Sequence, residues 1–375
     1  MVETTTVCFC NNRGGVGKTF TLFQIACAVA VANPDKKVLV FDFSIYSDLT
    51  ALFLGGTTAS GAFAASTGLV LCRENTTAET RVEGLLRRLS EGKKKSIGLG
   101  FFRAPDVAID LLSFTVQPFA YNRSIPANLL LVPSAGTESF VAKESEKNTP
   151  WSVFKPTTAD ALRCAIKTLP GDFISAFFDT DHLASSPLTE LALATCDSCV
   201  VPCPTDTAEF QRLYQTPNAT TFHGVESLFS DVMLPMTARG HLRARVTKMI
   251  FSKVPSIKNE PLVTAAGIRI PFTPNAITCR QIDSLASLAW EVCDKNPRYA
   301  ALFAHGSTSQ EIFTAETFSA FKLMPDLARS ISAQRGVPIC TMTTETYTTA
   351  SGISGSITGT VLKALVSEIE KLASS

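Results

Sequence analysis

The sequence predicts an α/β fold: a mostly parallel, twisted sheet with helices packed on both of its faces. Three features carry that prediction. Short apolar runs alternate with helical patterns along the whole chain, the rhythm of parallel strands joined by crossover helices. Val38 to Phe43 (V-L-V-F-D-F) is almost wholly apolar, as a strand covered on both faces must be. Lys18 to Ala32 is apolar nearly all round, so this helix needs cover on more than one side.

The elements follow in order. Thr5 to Cys10 reads as the first strand, and Lys18 to Ala32 as a helix stopped by Asn33-Pro34-Asp35. Val38 to Phe43 is the second strand. Val82 to Leu89 reads as a helix, followed by an exposed turn at Glu91-Gly92-Lys93-Lys94-Lys95. Leu129 to Val132 is a short strand closed by Pro133, and Ala159 to Leu169 a helix ended by Pro170-Gly171. Phe173 to Phe178 is a buried strand that delivers Asp179-Thr180-Asp181. Leu188 to Thr195 reads as a helix, and Cys199 to Cys203 and Val246 to Phe251 as strands. Pro325 to Gln334 reads as a helix, Val337 to Cys340 as a strand end, and Thr360 to Ala373 as an amphipathic closing helix. The expectation is one domain over residues 1–375, with insertions near 57–127 and 255–319, where no clear period shows.

Between the first strand and the first helix lies Asn11-Asn12-Arg13-Gly14-Gly15-Val16-Gly17-Lys18-Thr19. Strand, glycine-rich loop, Gly-Lys-Thr and helix make the sequence form of a phosphate cradle, a P-loop. Backbone N–H groups of the loop and the positive end of the helix face an anion. Lys18 would reach the β- and γ-phosphates, and the Thr19 hydroxyl would hold Mg²⁺. The strict motif wants a glycine where Asn12 stands, and Phe20 stands where a second hydroxyl often follows. Asp42 closes the second strand at the sheet edge where open α/β folds bind ligands.

These residues resemble the deviant Walker A loop of the ParA/MinD superfamily, written N-Q-K-G-G-V-G-K-T in its ParA branch. The resemblance places the family's extra lysine at Arg13, which would cross a dimer interface to the phosphates of the partner's ATP. Arginine keeps the charge and adds a planar fork of donors. Val38 to Thr50 is similar to the family's second motif. Asp42 takes its first acidic position, supporting Mg²⁺, while Ser44 takes the second, which positions the attacking water. A hydroxyl lacks the basicity of a carboxylate, so slow hydrolysis is expected unless Asp48 or another carboxylate substitutes. Asp179-Thr180 matches the start of the family's Walker B segment, with Asp181-His182 in place of its prolines; Asp179 would hold Mg²⁺ through water. Asn128 to Ala135, Cys196 to Pro204 and Pro325 to Pro338 resemble further family segments, and Ser252 falls near the adenine contact. The nucleotide would therefore be held by Asn12, Arg13, Gly14, Gly15, Val16, Gly17, Lys18, Thr19, Phe20 and Ser252. Arg13, Lys18, Asp42 and Ser44 would serve catalysis, and Thr19, Asp42 and Asp179 the metal.

What the resemblance implies is an ATPase that dimerises on ATP, binds DNA without sequence preference and partitions or positions a plasmid, chromosome or other cargo with a ParB-like or other activating partner. An ATP-gated scaffold that recruits a protein, as in conjugation, with hydrolysis nearly lost, is the alternative. A metal-cluster carrier of the same superfamily is the second. Two groups of basic residues could meet DNA phosphates: Arg239, Arg243, Arg245, Lys248, Lys253 and Lys258, and Arg81, Arg87, Arg88, Lys93, Lys94, Lys95 and Arg103. The chain starting at its first strand leaves no room for the N-terminal helix-turn-helix of some partition ATPases.

Composition narrows the classes. The 375 residues are 45% apolar and 18% charged with a formal net charge of +1, so any nucleic-acid binding rests on a local patch rather than a global field. Eleven cysteines show no regular framework, and without a leader they point to a reducing, cytoplasmic setting. Cys196-x-x-Cys199 with Cys203 could be read as metal ligands, but Cys199 to Cys203 reads as buried strand. No run approaches the ~20 apolar residues of a membrane span. The closing helix carries Lys363, Glu368, Glu370 and Lys371 in balance, whereas a membrane-surface helix is basic on its polar face; it should pack on the sheet.

Overall fold

The structure is a computed structural model, and it describes residues 4–44, 46–57, 66–91, 109–135, 155–181, 186–214, 227–349 and 352–374. Seven parallel strands form the central sheet. They are β1 (Thr5–Phe9), β2 (Lys37–Phe43), β3 (Leu129–Val132), β4 (Phe173–Thr180), β5 (Ser198–Cys203), β6 (Arg245–Val254) and β7 (Phe318–Lys322). Across the sheet the order is β7-β6-β5-β1-β4-β2-β3. The chain builds outward from β1 on one side, returns through β4, and then builds on the other side from β5. The reversal at β1 opens a crevice beyond the C-terminal ends of the central strands.

Strand alternation divides the core into two layers. Phe9, Val38, Val40, Leu129, Leu131, Phe177 and Val200 point to one face. There they meet α1 (Lys18–Ala32) and α2 (Asp48–Leu54). Cys8, Cys10, Leu39, Phe41, Ala176, Phe178, Cys199 and Val201 point to the other. That face is covered by α4 (Val82–Glu91), α5 (Pro156–Lys167) and α6 (Pro187–Thr195), with α3 (Thr67–Asn75) lying against α2 on the first face. At ~1.5–3 kcal/mol for each large apolar side chain removed from water, these layers supply most of the driving force.

The all-round apolar character of α1 has the predicted cause: Leu22, Phe23, Ala26, Cys27 and Ala30 are fully buried. Its one buried amide is satisfied, since Gln24 Nε2 donates to Ser332 Oγ at 2.7 Å and Gln24 Oε1 accepts from Ile339 N–H at 2.9 Å.

One expectation needs correction, and the stretch without a clear period holds regular elements. The stretch 255–319 contains a helix of twenty residues, Ala276–Lys295, capped by Asn275 Oδ1 accepting from Thr278 N–H at 2.8 Å. Its stripe of Ile282, Leu285, Ala286, Ala289 and Cys293 is helical spacing interrupted by polar residues. The same stretch runs into β7, whose F-S-A-F-K is short and broken by Ser319. Val337 to Cys340 is not a strand end: Ile339–Thr341 forms a 3-10 turn after Pro338. The closing helix Gly359–Ser374 packs along α1 and against the sheet, as expected, and Glu368 is buried at the edge strand, its Oε1 accepting from Lys322 N–H.

Candidate functional site

Register assembles the site. Phe9 lies opposite Asp179, and Asp179 opposite Asp42. The strand end that launches the glycine loop, the β4 carboxylate and the β2 carboxylate therefore stand side by side at one sheet edge. The loop turns through left-handed backbone at Gly15 (φ 75°) and Gly17 (φ 90°), which a side chain resists. A Cβ at Gly14 or Gly15 would meet nothing within 4 Å, so the open side of the loop faces space, not protein.

Side chains brace the loop from below. Asn11 Nδ2 donates to Pro202 C=O at 2.6 Å, and Asn12 Nδ2 to Arg212 C=O at 3.3 Å. Ser252 Oγ donates to Val16 C=O at 2.7 Å. Its hydroxyl is thus engaged with the loop backbone, a strut beside the cavity. Lys253 holds a left-handed backbone (φ 58°) and donates from Nζ to Gly15 C=O at 2.6 Å. A non-glycine residue in that region costs on the order of 1 kcal/mol, and here the bend brings a second ammonium to the loop.

Above the loop lies a cavity of about 370 Å³. Its polar lining includes Gly14, Gly15, Gly17, Lys18, Thr19, Ser44, Asp48, Asp181 and Lys253. Its apolar lining is Phe20, Phe321, Leu323 and Met324, beside Lys322 and with Arg329 and Ala333 on α7 (Asp326–Arg335). Lys18 is buried, and Nζ donates to Arg13 C=O at 3.0 Å. Burial lowers its pKa, and the charge of Asp179 opposes that shift.

Thr19 Oγ1 donates to Asp179 Oδ2 at 2.7 Å, while Asp179 Oδ1 is buried without a hydrogen-bond partner. Burial first, and then the charge of Asp42, push the Asp179 pKa well up. A hard divalent cation favours carboxylate and hydroxyl oxygen in this arrangement, so Thr19 and Asp179 fit Mg²⁺. Asp42 is more committed. Its Oδ1 accepts from Ser44 N–H at 3.1 Å and its Oδ2 from Thr50 N–H at 2.8 Å and Thr50 Oγ1 at 2.7 Å. Burial raises its pKa to about 7 against those bonds. In this state Asp42 fixes the loop leading into α2, with at most one lone-pair direction left.

Ser44 and Asp48 both line the cavity. Arg13 stands outside the cavity wall: its Nε lies 2.7 Å from Glu209 Oε2, and Glu209 Oε1 also pairs with Arg212 at 2.8 Å. The six clustered basic residues do not form one patch. Arg239, Arg243 and Arg245 are exposed around the N-terminal end of β6, with Arg243 held by Asp197. Lys248 is half-buried, its pKa lowered by burial. Lys253 joins the glycine loop at the opposite sheet edge, and Lys258 is exposed beyond β6. In the second group Arg81 is tied to Thr76 and Arg87 to Glu79, whereas Arg88 is exposed; Lys93, Lys94, Lys95 and Arg103 lie outside the described residues. Sequence reasoning missed the apolar lining of Phe321, Leu323 and Met324, because these residues end and follow an edge strand with no motif of its own.

No protein-family model and no curated protein sequence matches the chain. Solved structures do. A variant of McdA from Cyanothece in complex with ATP superposes with a TM-score of 0.51 at 12% identity, covering 90% of each chain. The structure of pnob8 ParA superposes with a TM-score of 0.51 at 11% identity, covering 99% of this chain and 96% of that one. The fold is that of the ParA-type P-loop ATPases. Among the described residues no helix is long and apolar enough to cross a membrane.

Proposed function

We propose that the chain is an ATP-dependent switch of the ParA type, binding ATP with Mg²⁺, dimerising on it, and holding DNA by sequence-independent phosphate contacts to partition or position a cargo. One observation carries this reading: Lys18 and Thr19 line, with the glycine loop, a cavity of about 370 Å³ that also has apolar walls, and Thr19 is bonded to the buried Asp179 behind it. The fold shared with an ATP-bound McdA and with a ParA supports it.

In this reading the α1 N–H groups and the loop hold the phosphates, with Lys18 and Lys253 supplying charge. Thr19 and Asp179, with Asp42 behind them, hold Mg²⁺, which when bound offsets the phosphate charge. Phe20, Phe321, Leu323 and Met324 enclose the base. Arg13 reaches the partner's phosphates once it leaves Glu209, so dimer formation exchanges one ion pair for another. Arg239, Arg245 and Lys258 are the exposed, unshared cations of the first group offered to DNA, with Arg88 from the second, and a ParB-like or other partner would stimulate turnover.

The test is molecular mass and DNA retention measured with ATP, ADP and no nucleotide across rising salt. Dimers and retention that need ATP, with retention weakening as salt rises, are expected. The same mass and retention in all three conditions would overturn the reading. Ser44 favours a second reading, an ATP-gated scaffold that recruits a protein with hydrolysis nearly lost; ATP-dependent dimers without DNA retention would select it.

A further inference from the structure

The cysteines of this chain fall into two kinds. Cys203 and Cys293 are ordinary core thiols: burial alone raises both, Cys293 to about 12. Such residues behave as small hydrophobes. Cys8, Cys10 and Cys199 differ because their sulfurs face one another, with Cys196 nearby, just before the start of β5. Cys8 and Cys10 are two apart across the end of β1 and so share a face. The parallel register sets Cys199 on β5 directly opposite Cys8. Cys196 is buried at the turn between α6 and β5, two residues before Ser198, whose C=O accepts from Cys8 Sγ at 3.5 Å. All four are 0% exposed.

The sulfur atoms of Cys8, Cys10 and Cys199 lie within 4.8 Å of one another. Four thiolates around Zn²⁺, at Zn–S of about 2.3 Å in a tetrahedron, would put sulfurs about 3.8 Å apart. For Cys8, Cys10 and Cys199 the difference is at most about 1 Å. The donor set is all sulfur, which suits a soft or borderline ion and not Mg²⁺ or Ca²⁺. Charge is the cost, because thiolates in a core need an opposing charge. Zn²⁺ supplies two, and Lys18 is close enough to favour the Cys10 thiolate.

We propose that Cys8, Cys10 and Cys199, with Cys196 drawn in as the fourth ligand, form a structural Zn²⁺ site that staples the loop-bearing strand β1 to β5. Binding exchanges each S–H proton for a Zn–S bond, releasing up to four protons with no change of oxidation state. With every sulfur covered, the ion enters during folding and stays. It is resident, which separates this site from the exposed pair a metal carrier would need to hand over cargo. Its position under the glycine loop gives it a mechanical role: the base of the cradle cannot spread while both strands hold one ion. The proposal stands apart from the nucleotide reading and does not need it.

The experiment is metal analysis of the full chain purified without chelator. About one zinc per chain is expected, released by a mercurial reagent. Refolding with Co²⁺ should give the intense visible bands of tetrahedral cobalt thiolate. Cys10→Ser and Cys199→Ser should lose the zinc, while Cys203→Ser, buried on the same strand outside the group, should keep it. Zinc-free protein that also gives no cobalt bands on refolding overturns the proposal whatever the variants do. So does zinc that survives Cys199→Ser with unchanged cobalt bands, or an intact mass showing these thiols joined as disulfides. Should the serine variants fail to fold, the wild-type zinc count and cobalt spectrum still decide.

Discussion

The polar and apolar linings of the cavity are built by different rules. The polar lining, the proposed phosphate end, draws on residues close in sequence and fixed in type, Gly14, Gly15, Gly17, Lys18 and Thr19, with Asp179 and Asp42 behind them through strand register. The apolar lining draws on Phe20 and, some three hundred positions later, Phe321, Leu323 and Met324. Binding an anion and a cation demands particular donors at particular spacing, because an unpaired buried charge is expensive. Enclosing a flat apolar group demands only area and shape, which many residue types supply. The first rule leaves a motif, and the second leaves none.

The sharpest way to break this contrast is at Lys18. Lys18→Ala removes the buried ammonium that the loop presents to phosphate, and affinity for ATP should fall on the order of 100-fold, about 3 kcal/mol. Tripolyphosphate, which has no base, should lose a similar factor. Calorimetry with both ligands checks this, and an ATP affinity unchanged by the substitution would sink the proposed phosphate end.

Next in size is Ser44. Its place on the cavity wall suits a group that orients water, and its hydroxyl cannot take the proton. Ser44→Asp should raise the steady-state ATPase rate by roughly 10- to 100-fold. Asp48 lines the same cavity, so Asp48→Asn provides the counter-test. If Asp48→Asn abolishes turnover while Ser44→Asp adds nothing, Asp48 already performs the carboxylate's task.

Smaller again is the apolar lining. Phe20→Ala should weaken ATP about tenfold, since stacking on an aromatic ring contributes ~1–3 kcal/mol per base. Tripolyphosphate binding should not change. An equal loss for both ligands would mean that Phe20 supports the loop rather than the base.

The same division explains what was legible in the sequence. The strand–loop–helix at the start, Asp42 at the end of β2 and Asp179 at the end of β4 could be placed from residue order, because buried parallel strands are apolar runs and their polar ends stand out. The helix Ala276–Lys295 was obscured by Ser, Thr and Arg between its apolar positions. The strand β7 was hidden by Ser319 and by its edge position. The parting of Lys253 from its basic neighbours was invisible too, since it depends on which end of one long strand each side chain occupies. Arg13 was picked out by position, but its ion pair with Glu209 follows from how the chain after β5 folds back toward the loop.

The smallest effect concerns how each lining is anchored. The apolar wall hangs from β7, and β7 is tied to the closing helix by Lys322 N–H donating to buried Glu368. Burial raises the Glu368 pKa from the usual 4.5 to about 8, only partly offset by that bond. The folded state therefore holds this proton more tightly than the unfolded chain. Stability from it is full below pH 4.5 and falls as pH rises toward 8, because in that window the unfolded state binds fewer protons. Asp42 slopes the same way, but only up to about pH 7. Glu368→Gln keeps an acceptor for Lys322 and removes the ionisation, so the variant should gain on the wild type between pH 6 and pH 9. The gain should be on the order of 3 °C in melting temperature at the upper end. Melting curves that stay parallel across that range would show that Glu368 is not the anchor that titrates.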